Sequence, residues 1–407
     1  MVIASNGSGD SSAKKALYFG VNGTARKVKK MYIGVNGTAR KVKKAYIGVN
    51  GVARLFFTGQ RDLIYTGSSS NGKVAALSQA KGYLMAASVG RYALFAGGYN
   101  GSRYNTVDAY NDSLVRSNPT GLSQVRASGA GGQISQYAMF AGGYGSGLTS
   151  AVDAYNPSLT RSNPTGLSVA REGLKGAAAG GYLLFAGGYN GSTVYNTVEA
   201  YNGSLTRSIP TPLSQAKCRL AAASLGKRAL FAGGCTTTNA AMTDACDSVE
   251  AYDESLTRST LTPLSVKKGM IAAASLGKFT LFAGGAGPGG IYSEGCAYDE
   301  SLTQRTLPYL PQWTYCHAGI GLGDYAIFAG GIGYDSAAQK HIVLEDVAVY
   351  NDSLTLTSAA PMSVGRRDFN GLAAATAGDH ALIAGGVSSP TSYVYSNAVD
   401  VYSLKKE

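Results

Sequence analysis

The chain has 407 residues and a formal net charge of +12, and 45% of its residues are hydrophobic, 15% are charged and 55 are Gly. Glycine at about twice its usual share without a Gly-X-Y period excludes collagen and indicates many tight turns. No apolar run reaches the ~18 residues that cross a bilayer, so no membrane insertion is expected. The scattered cysteines do not form a disulfide framework, and the N-terminus lacks the apolar core of a secretion signal. We therefore expect a β-rich protein made in the cytoplasm.

The positive charge is concentrated in the first 57 residues. They contain eleven Lys and Arg against one acid, a net charge of +10, whereas residues 58–407 contain 25 bases and 23 acids, a net charge of +2. Residues 1–13 are polar and are expected to be a flexible N-terminus, and residues 58–67 are expected to be a linker.

Residues 14–57 contain three copies of a 14-residue repeat, marked by Tyr18, Tyr32 and Tyr46. Each tyrosine is followed by Asn-Gly, the strongest short hairpin signal. Because Lys-Lys is a poor turn, the repeat predicts a β-meander whose strands of about 12 residues run between the Asn-Gly turns. So small a sheet is marginal alone, so we expect this segment to anchor or oligomerise the chain.

Two other interpretations of residues 14–57 remain open at this point. The segment could be a flexible arm whose lysines are solvated along its strands. It could also bind nucleic acid through its eleven bases, but no stacking aromatics alternate with the charges, so no nucleic-acid partner is expected.

The motif Tyr-Ile-Gly-Val-Asn-Gly-x-Ala-Arg at 32–40 and 46–54 resembles segments of bacteriophage structural proteins, in which such copies precede appended domains. The resemblance implies a virion protein, made in the host cytoplasm, that contacts other virion proteins through residues 14–57. It also favours a homo-oligomer.

The rest of the chain repeats with a period of 45 to 55 residues. In each unit an apolar run ends in a diglycine, and the seven runs occupy 93–98, 138–143, 183–188, 229–234, 280–285, 326–331 and 381–386. A spaced tyrosine and a polar stretch follow, so each unit is predicted to hold four short strands, a to d. Such a unit cannot bury its own faces and must stack on its copies.

The two ends of this region complement each other. The last unit stops after its strand c, at about residue 404, whereas residues 68–88 align with the passage from strand d to strand a at 204–224. The N-terminal segment is therefore predicted to supply the missing strand of the last blade. The expected fold is all-β, a closed seven-bladed β-propeller over residues 68–407.

These units resemble the Kelch repeat, in which an apolar strand ends in Gly-Gly and is followed by a spaced Tyr and a polar turn. The family usually has a Trp about six residues after the Tyr, whereas this chain has Leu-Thr-Arg-Ser, as at Leu159–Ser162. Arginine stems are expected to replace the missing Trp between the blades.

Because strands alternate in direction, the b–c loops and the d–a passages should share one face, which we call the loop face. The b–c loops vary in length and sequence, which favours a binding role. Six blades also carry a base at the entry to strand a, and blade 6 has Thr314 instead. We call these six the ring bases: Lys81, Arg126, Arg171, Lys217, Lys268 and Arg366.

Two interpretations of the ring bases are open. They could form a positive funnel at the mouth of the central channel and bind an acidic ligand. Alternatively, each base could pair with an acid or a carbonyl of a neighbouring blade and serve only packing.

Blade 6 contains the one Trp of the chain, Trp313, with Tyr309 and Tyr315 nearby and Tyr334 in its b–c loop. Exposed aromatic rings of this kind stack on sugar faces, so they are candidate ligand-binding residues together with the ring bases. Alternatively, Trp313 fills the gap between blades. Tyr99, Tyr144 and Tyr189 each follow a diglycine and could either pack in turns or contact a ligand.

No catalytic constellation is evident, because the three His do not match a copper site and no paired carboxylates recur on the loop face. We therefore expect no enzyme activity, no cofactor and no metal. Cys235 and Cys246 flank one loop and could pair if oxidised, but free thiols are expected in the cytoplasm.

The sequence thus favours a bacteriophage tail, fibre or capsid protein that binds a cell-surface glycan or another receptor. The alternative is an intracellular Kelch scaffold that grips an acidic protein through the ring bases.

Overall fold

A computed structural model describes strand backbones within residues 18–58, and residues 61–405 other than Ser135, Ala240 and Ala241. The chain divides into two units, Met1–Leu63 with Leu404–Glu407, and Ile64–Ser403. The expected flexible segment 1–13 lies outside the described residues.

The described strands of the first unit pair as three two-stranded hairpins. Their strands are Tyr18–Val21 with Thr24–Lys27, Met31–Val35 with Thr38–Val42, and Lys44–Val49 with Val52–Thr58. These pairs agree with the hairpins predicted at the Asn-Gly positions. The predicted continuous strands of about 12 residues would run through residues 28–30 and 43, which lie outside the described residues.

The second unit is a seven-bladed β-propeller, as the sequence predicts, and each blade is a four-stranded antiparallel sheet. In blades 1 to 3 the strands a to d are Met85–Val89, Tyr92–Ala96, Val107–Asn111 and Arg116–Ser117; Ala130–Ile134, Tyr137–Ala141, Val152–Tyr155 and Arg161–Ser162; and Lys175–Ala179, Tyr182–Ala186, Val198–Asn202 and Arg207–Ser208.

Blades 4 to 6 have the same order. Their strands are Ala221–Leu225, Arg228–Ala232, Val249–Tyr252 and Arg258–Thr260; Ala272–Leu276, Phe279–Ala283, Gly295–Asp299 and Gln304–Thr306; and Ala318–Leu322, Tyr325–Ala329, Val347–Asn351 and Leu356–Ser358. Three b–c loops add small hairpins, formed by Tyr189–Asn190 with Thr193–Val194, Ala286–Gly287 with Gly290–Ile291, and Ile332–Asp335 with Lys340–Val343. No helix among the described residues is long and apolar enough to cross a membrane.

Blade 7 closes the ring with a strand from the N-terminal side of the propeller. Its strands are Ala373–Ala377, His380–Ala384, Val399–Leu404 and Leu63–Ser68, and a 3-10 turn, Ser69–Asn71, follows the last of these. The closing strand thus lies mostly within residues 58–67, where a linker was expected. Tyr65 Oη donates to Asp400 Oδ1 at 2.8 Å, which ties the two ends of the propeller together.

The tyrosine of each strand c joins neighbouring blades. Tyr155, for example, is fully buried, packs edge-to-face on Phe140 with ring centroids 6.0 Å apart, and donates to the Thr120 carbonyl at 2.8 Å. The same bond recurs in every blade, from Tyr110, Tyr155, Tyr201, Tyr252, Tyr298, Tyr350 and Tyr402. Arg161 of strand d reaches the Gly121 carbonyl of the same passage, in agreement with the expected arginine stems.

The diglycines occupy points where adjacent blades approach closely. Gly98 N donates to the Arg126 carbonyl of the next blade at 3.0 Å, and a Cβ on Gly97 would lie 2.3 Å from the same oxygen. Both glycines have positive φ, which only glycine adopts at little cost. The contact repeats around the ring and closes with Gly386 N donating to the Lys81 carbonyl at 3.0 Å.

Candidate functional site

The ring bases are buried and do not line an open mouth. Each of the six is at most 1% exposed. Five form ion pairs with an acid on strand c of their own blade: Lys81 with Asp108, Arg126 with Asp153, Arg171 with Glu199, Lys217 with Glu250, and Arg366 with Asp400. The expected positive funnel is therefore corrected to a set of internal ion pairs, and the partner acids lie on the same blade and not on a neighbouring one.

Blade 3 shows how such a pair is held. Arg171 donates to both carboxylate oxygens of Glu199, and the Ser168 hydroxyl donates to Oε1 at 2.6 Å. Burial raises the pKa of Glu199, but the bonds from Arg171 and Ser168 outweigh burial and hold that pKa below its usual value. A paired and hydrogen-bonded buried charge of this kind is tolerated, whereas an unpaired one is costly.

The exceptions follow the same logic. Blade 5 has Cys296 at the acid position, and Lys268 Nζ donates instead to the Glu294 carbonyl at 2.8 Å. Blade 6 lacks both charges, since Thr314 replaces the base, Ala348 replaces the acid, and the Thr314 hydroxyl donates to the Gly330 carbonyl at 3.1 Å. Base and acid thus tend to occur together, as expected for a packing role.

The aromatic residues of blade 6 do not form one cluster. Trp313 is 55% exposed and Tyr309 is 61% exposed, so the alternative that Trp313 fills the gap between blades is wrong. Tyr315 turns into a pocket on the loop face. Tyr334 packs on His341 of the same hairpin, with ring centroids 5.5 Å apart.

The described part of the loop face carries a basin with two lobes. The first lobe has a volume of about 600 Å³ and takes its chemistry from seven side chains: Tyr83, Tyr99, Arg103, Tyr144, Glu172, Tyr393 and Tyr395. They come from b–c loops and d–a passages of blades 1, 2, 3 and 7. These two classes of connection therefore share this face, as the alternation of strand direction predicts.

The tyrosines of the first lobe support one another. Tyr99 meets Tyr83 edge-to-face at 6.3 Å and Tyr395 at 5.9 Å, and Tyr393 stacks on Tyr395 at 6.1 Å. Burial raises the pKa of Tyr395 to about 12, and the neighbouring Tyr99 and Tyr393 add to this shift. The Tyr395 hydroxyl is therefore protonated at neutral pH and can donate a hydrogen bond.

Glu172 forms the acidic wall of the first lobe. Burial raises the pKa of its carboxyl group above the usual range, and hydrogen bonds with Tyr189 and Ser128 and the charge of Arg103 oppose this shift. Glu172 can accept a hydrogen bond from a ligand hydroxyl in this position.

The second lobe, of about 590 Å³, shares Tyr83 and Ser128 with the first. Its walls are more apolar and include Met242, Met270, Ile291, Tyr315 and Phe369. Methionine and aromatic side chains pack adaptably on apolar ligand surfaces. The basin thus combines a polar lobe and an apolar lobe within one concave surface.

A segment of blade 7, Asp368–Gly371, separates the basin from the central channel. Asn370 lines both the second lobe and the channel. The side-chain amide of Asn370 donates to the Gly129 carbonyl of blade 2 at 3.1 Å. Lys175 of blade 3 donates to the main-chain carbonyl oxygen of Asn370. Asn370 is therefore held by two other blades at the point where the second lobe adjoins the central channel.

Two charged groups, one in this segment and one that contacts it, have shifted pKa values. Burial raises the pKa of Asp368 to about 6, although its carboxylate accepts backbone N–H bonds from Asn370 and Tyr83 and lies near Lys175 and Arg367. Burial lowers the pKa of Lys175 to about 8, against the attraction of Asp368 and Cys316. Asp368 is buried, whereas Lys175 is half-buried and lines the central channel, and in both cases desolvation disfavours the charged form.

The cysteines of the described residues are all buried free thiols. Cys235 Sγ contacts Met242 Sδ at 3.3 Å, and Cys246 Sγ donates to the Gly234 carbonyl at 3.3 Å. No group of three or more His, Cys, Asp or Glu among the described residues is arranged to hold a metal ion.

Sequence reasoning identified Tyr99 and Tyr144 as candidates but missed Tyr83, Tyr393 and Tyr395. The sequence does contain a signal for Tyr83, because the residue at its position in the repeat varies from blade to blade. The position of Tyr83 holds Ser128, Gly173 and Arg219 in the next three blades, and such variation within a repeating frame is typical of a binding surface.

Comparison with known proteins adds information on the fold alone. No family model matches the chain, and no curated protein matches it. Among solved structures, a protein whose structure is titled "Structure of YjhT" superposes with a TM-score of 0.54 at 16% sequence identity, over 68% of this chain and 97% of that chain.

Proposed function

We propose that this chain is a non-enzymatic structural protein of a bacteriophage virion, in a tail, a fibre or a capsid appendage, and that its propeller binds a cell-surface carbohydrate. The observation that carries the binding proposal is the ring of five tyrosines around the first lobe. Tyrosine rings offer flat apolar faces for sugar rings and hydroxyl groups for hydrogen bonds.

The virion part of the proposal depends on the sequence. The repeats of residues 14–57 resemble bacteriophage structural proteins, and those of residues 68–407 resemble Kelch repeats. In this proposal the hairpins of the first unit attach the protein to other virion proteins or to further copies of itself. The propeller then presents its loop face to the host surface.

The structure does not favour the alternative of an intracellular Kelch scaffold, because the residues that would recognise an acidic protein are not accessible. It depended on the ring bases as a grip for an acidic protein, but those side chains are buried within the blades. Reaching them would require breaking internal ion pairs such as that between Arg126 and Asp153 at 2.8 Å, which is costly.

A glycan array tests the binding proposal with the full chain and with the variants Tyr99→Ala and Tyr395→Ala. We expect a restricted set of glycans to bind. Each variant should raise the Kd about tenfold or more, because truncating an aromatic anchor residue typically costs about 2 kcal/mol or more of binding free energy. Circular dichroism melting curves of the variants check that each propeller is folded.

Trp313→Ala and Tyr309→Ala separate the basin from the blade 6 aromatics. Both side chains are exposed and neither lines a lobe of the basin, so binding should be retained. Loss of binding in these two variants with retention in the basin variants would move the site to blade 6. A failure of all glycans and whole cells to bind the full chain would refute the binding proposal.

A further inference from the structure

We propose that Arg103 is the binding site for an anionic group, so that the carbohydrate bound in the first lobe carries a carboxylate. The sugar part of this inference rests on the proposed function. The anion part rests on the geometry and the unused hydrogen-bonding capacity of one side chain.

Arg103 is held by two tyrosine rings. Its Cζ lies 5.2 Å from the ring centroid of Tyr99 and 4.4 Å from that of Tyr144. Both distances are within the range of a cation–π contact, in which the cation lies over the face of an aromatic ring. The two rings therefore localise the guanidinium group, and none of its five N–H donors forms a hydrogen bond with the described residues.

The other arginines of the propeller show how unusual this is. Twelve of them donate a hydrogen bond or form an ion pair within the protein: Arg91, Arg116, Arg126, Arg161, Arg171, Arg207, Arg219, Arg228, Arg258, Arg305, Arg366 and Arg367. Among the described residues, Arg103 has neither kind of bond to the protein. An exposed but oriented guanidinium with free donors matches a carboxylate, which accepts two parallel N–H bonds.

Glu172 limits what the ligand in this lobe can be. Among the described residues it forms no ion pair with Arg103, although the charge of Arg103 and hydrogen bonds with Tyr189 and Ser128 all lower the pKa of its carboxyl group. A ligand with only hydroxyl groups could satisfy Glu172 but would leave Arg103 without a carboxylate. An acidic sugar presents both groups, so hydroxyls can donate to Glu172 while the carboxylate binds Arg103.

The test is an array of uronic-acid-containing glycans, each printed beside its carboxyl-reduced form, with phosphorylated glycans included. We expect the full chain to bind acid forms and not their reduced partners. The strongest hit is then titrated calorimetrically against the variants. Arg103→Gln should raise its Kd about tenfold or more, because hydrogen bonds to charged groups are worth ~1.5–3 kcal/mol.

Arg103→Lys keeps the charge but loses the planar pair of donors, so its Kd should lie between those of the wild type and Arg103→Gln. Arg91→Gln is the matched control. Arg91 lies at the turn between strands a and b of blade 1, on the face opposite the basin, and is 66% exposed while paired with Asp112 at 2.6 Å. The Kd of the Arg91→Gln variant should stay within about twofold of that of the wild type, since an exposed charge far from the basin contributes little to binding.

Equal binding of acid and reduced forms, or a Kd unchanged by Arg103→Gln, would overturn the inference and leave the proposed carbohydrate function standing. Arg103-dependent binding of phosphorylated glycans alone would overturn the carboxylate assignment. No glycan binding at all would refute the proposed function itself, and this inference with it.

Discussion

The propeller uses arginine in two opposite ways, and Arg126 and Arg103 show the contrast. Arg126 recurs in equivalent form around the ring, is buried, and pairs with Asp153 at 2.8 Å. Arg103 occurs in one blade, is exposed, and contacts the rings of Tyr99 and Tyr144. In this propeller the charge that recurs thus serves the internal frame, whereas the charge that occurs once is available for a ligand.

The largest expected effect tests the structural half of this contrast. Arg171→Met should lower the free energy of unfolding by about 3–5 kcal/mol, because it leaves the buried carboxylate of Glu199 without its partner. Chemical denaturation followed by circular dichroism measures the change. Glycan binding by the folded fraction should be unchanged.

The matched control removes both charges. Arg171→Met combined with Glu199→Met should recover most of the lost stability, since a buried ion pair replaced by apolar groups of similar volume is often neutral. If the single variant were as stable as the wild type and lost ligand binding, the ring bases would belong to the binding site after all.

A second effect, of the order of 3 kcal/mol, concerns Asp368 beneath the basin. Its pKa is about 6 in the folded protein against ~3.9 in an unfolded chain, and one pKa unit corresponds to about 1.4 kcal/mol. Between pH 4 and 6 the folded state therefore binds more protons than the unfolded state, so this residue makes stability fall as pH rises through that range.

Comparison of the wild type with Asp368→Asn isolates this contribution from that of Glu199, whose lowered pKa has the opposite effect. The stability of the wild type relative to the variant should fall from pH 4 to pH 6 and change little between pH 6 and 7. Parallel pH profiles for the two proteins would show that the surroundings of Asp368, including Lys175, Arg367 and Tyr83, leave its carboxyl group at its ordinary pKa.

Much of the frame was predictable because it repeats. The diglycines and the strand c tyrosines gave the number of blades, and the alignment of residues 68–88 with 204–224 gave the closure. The pairing of the ring bases was also predictable, because blade 6 lacks both the base and the acid and has Thr314 and Ala348 at those two positions. Co-occurrence of a base and an acid within one repeat is a stronger sign of pairing than periodicity of the base alone.

The basin was harder to predict because it is assembled by ring closure. Tyr99 and Tyr395 lie almost 300 residues apart in the sequence and meet with centroids 5.9 Å apart only because blade 7 packs beside blade 1. Repeat patterns also say little about exposure. Trp313 was a plausible filler between blades, yet Tyr350 of strand c already contacts this passage through its bond to the Pro308 carbonyl.

The smallest effect applies one chemical change to both regions. Tyr155→Phe removes the hydroxyl that donates to the Thr120 carbonyl at 2.8 Å, and should lower the free energy of unfolding by about 1 kcal/mol. Tyr99→Phe removes a hydroxyl that has no hydrogen-bond partner among the described residues, so stability should stay within about 0.5 kcal/mol. Denaturation curves measured side by side resolve this difference.

Ligand binding should respond in the reverse order. Tyr155 is fully buried between blades, so Tyr155→Phe leaves the basin intact and the Kd for the strongest glycan should not change. Tyr99→Phe keeps the ring that holds Arg103 but removes one donor, so a several-fold rise in Kd is expected if that hydroxyl contacts the sugar. A loss of binding in Tyr155→Phe with none in Tyr99→Phe would contradict the division between frame and basin, because a buried, repeated side chain would then control recognition.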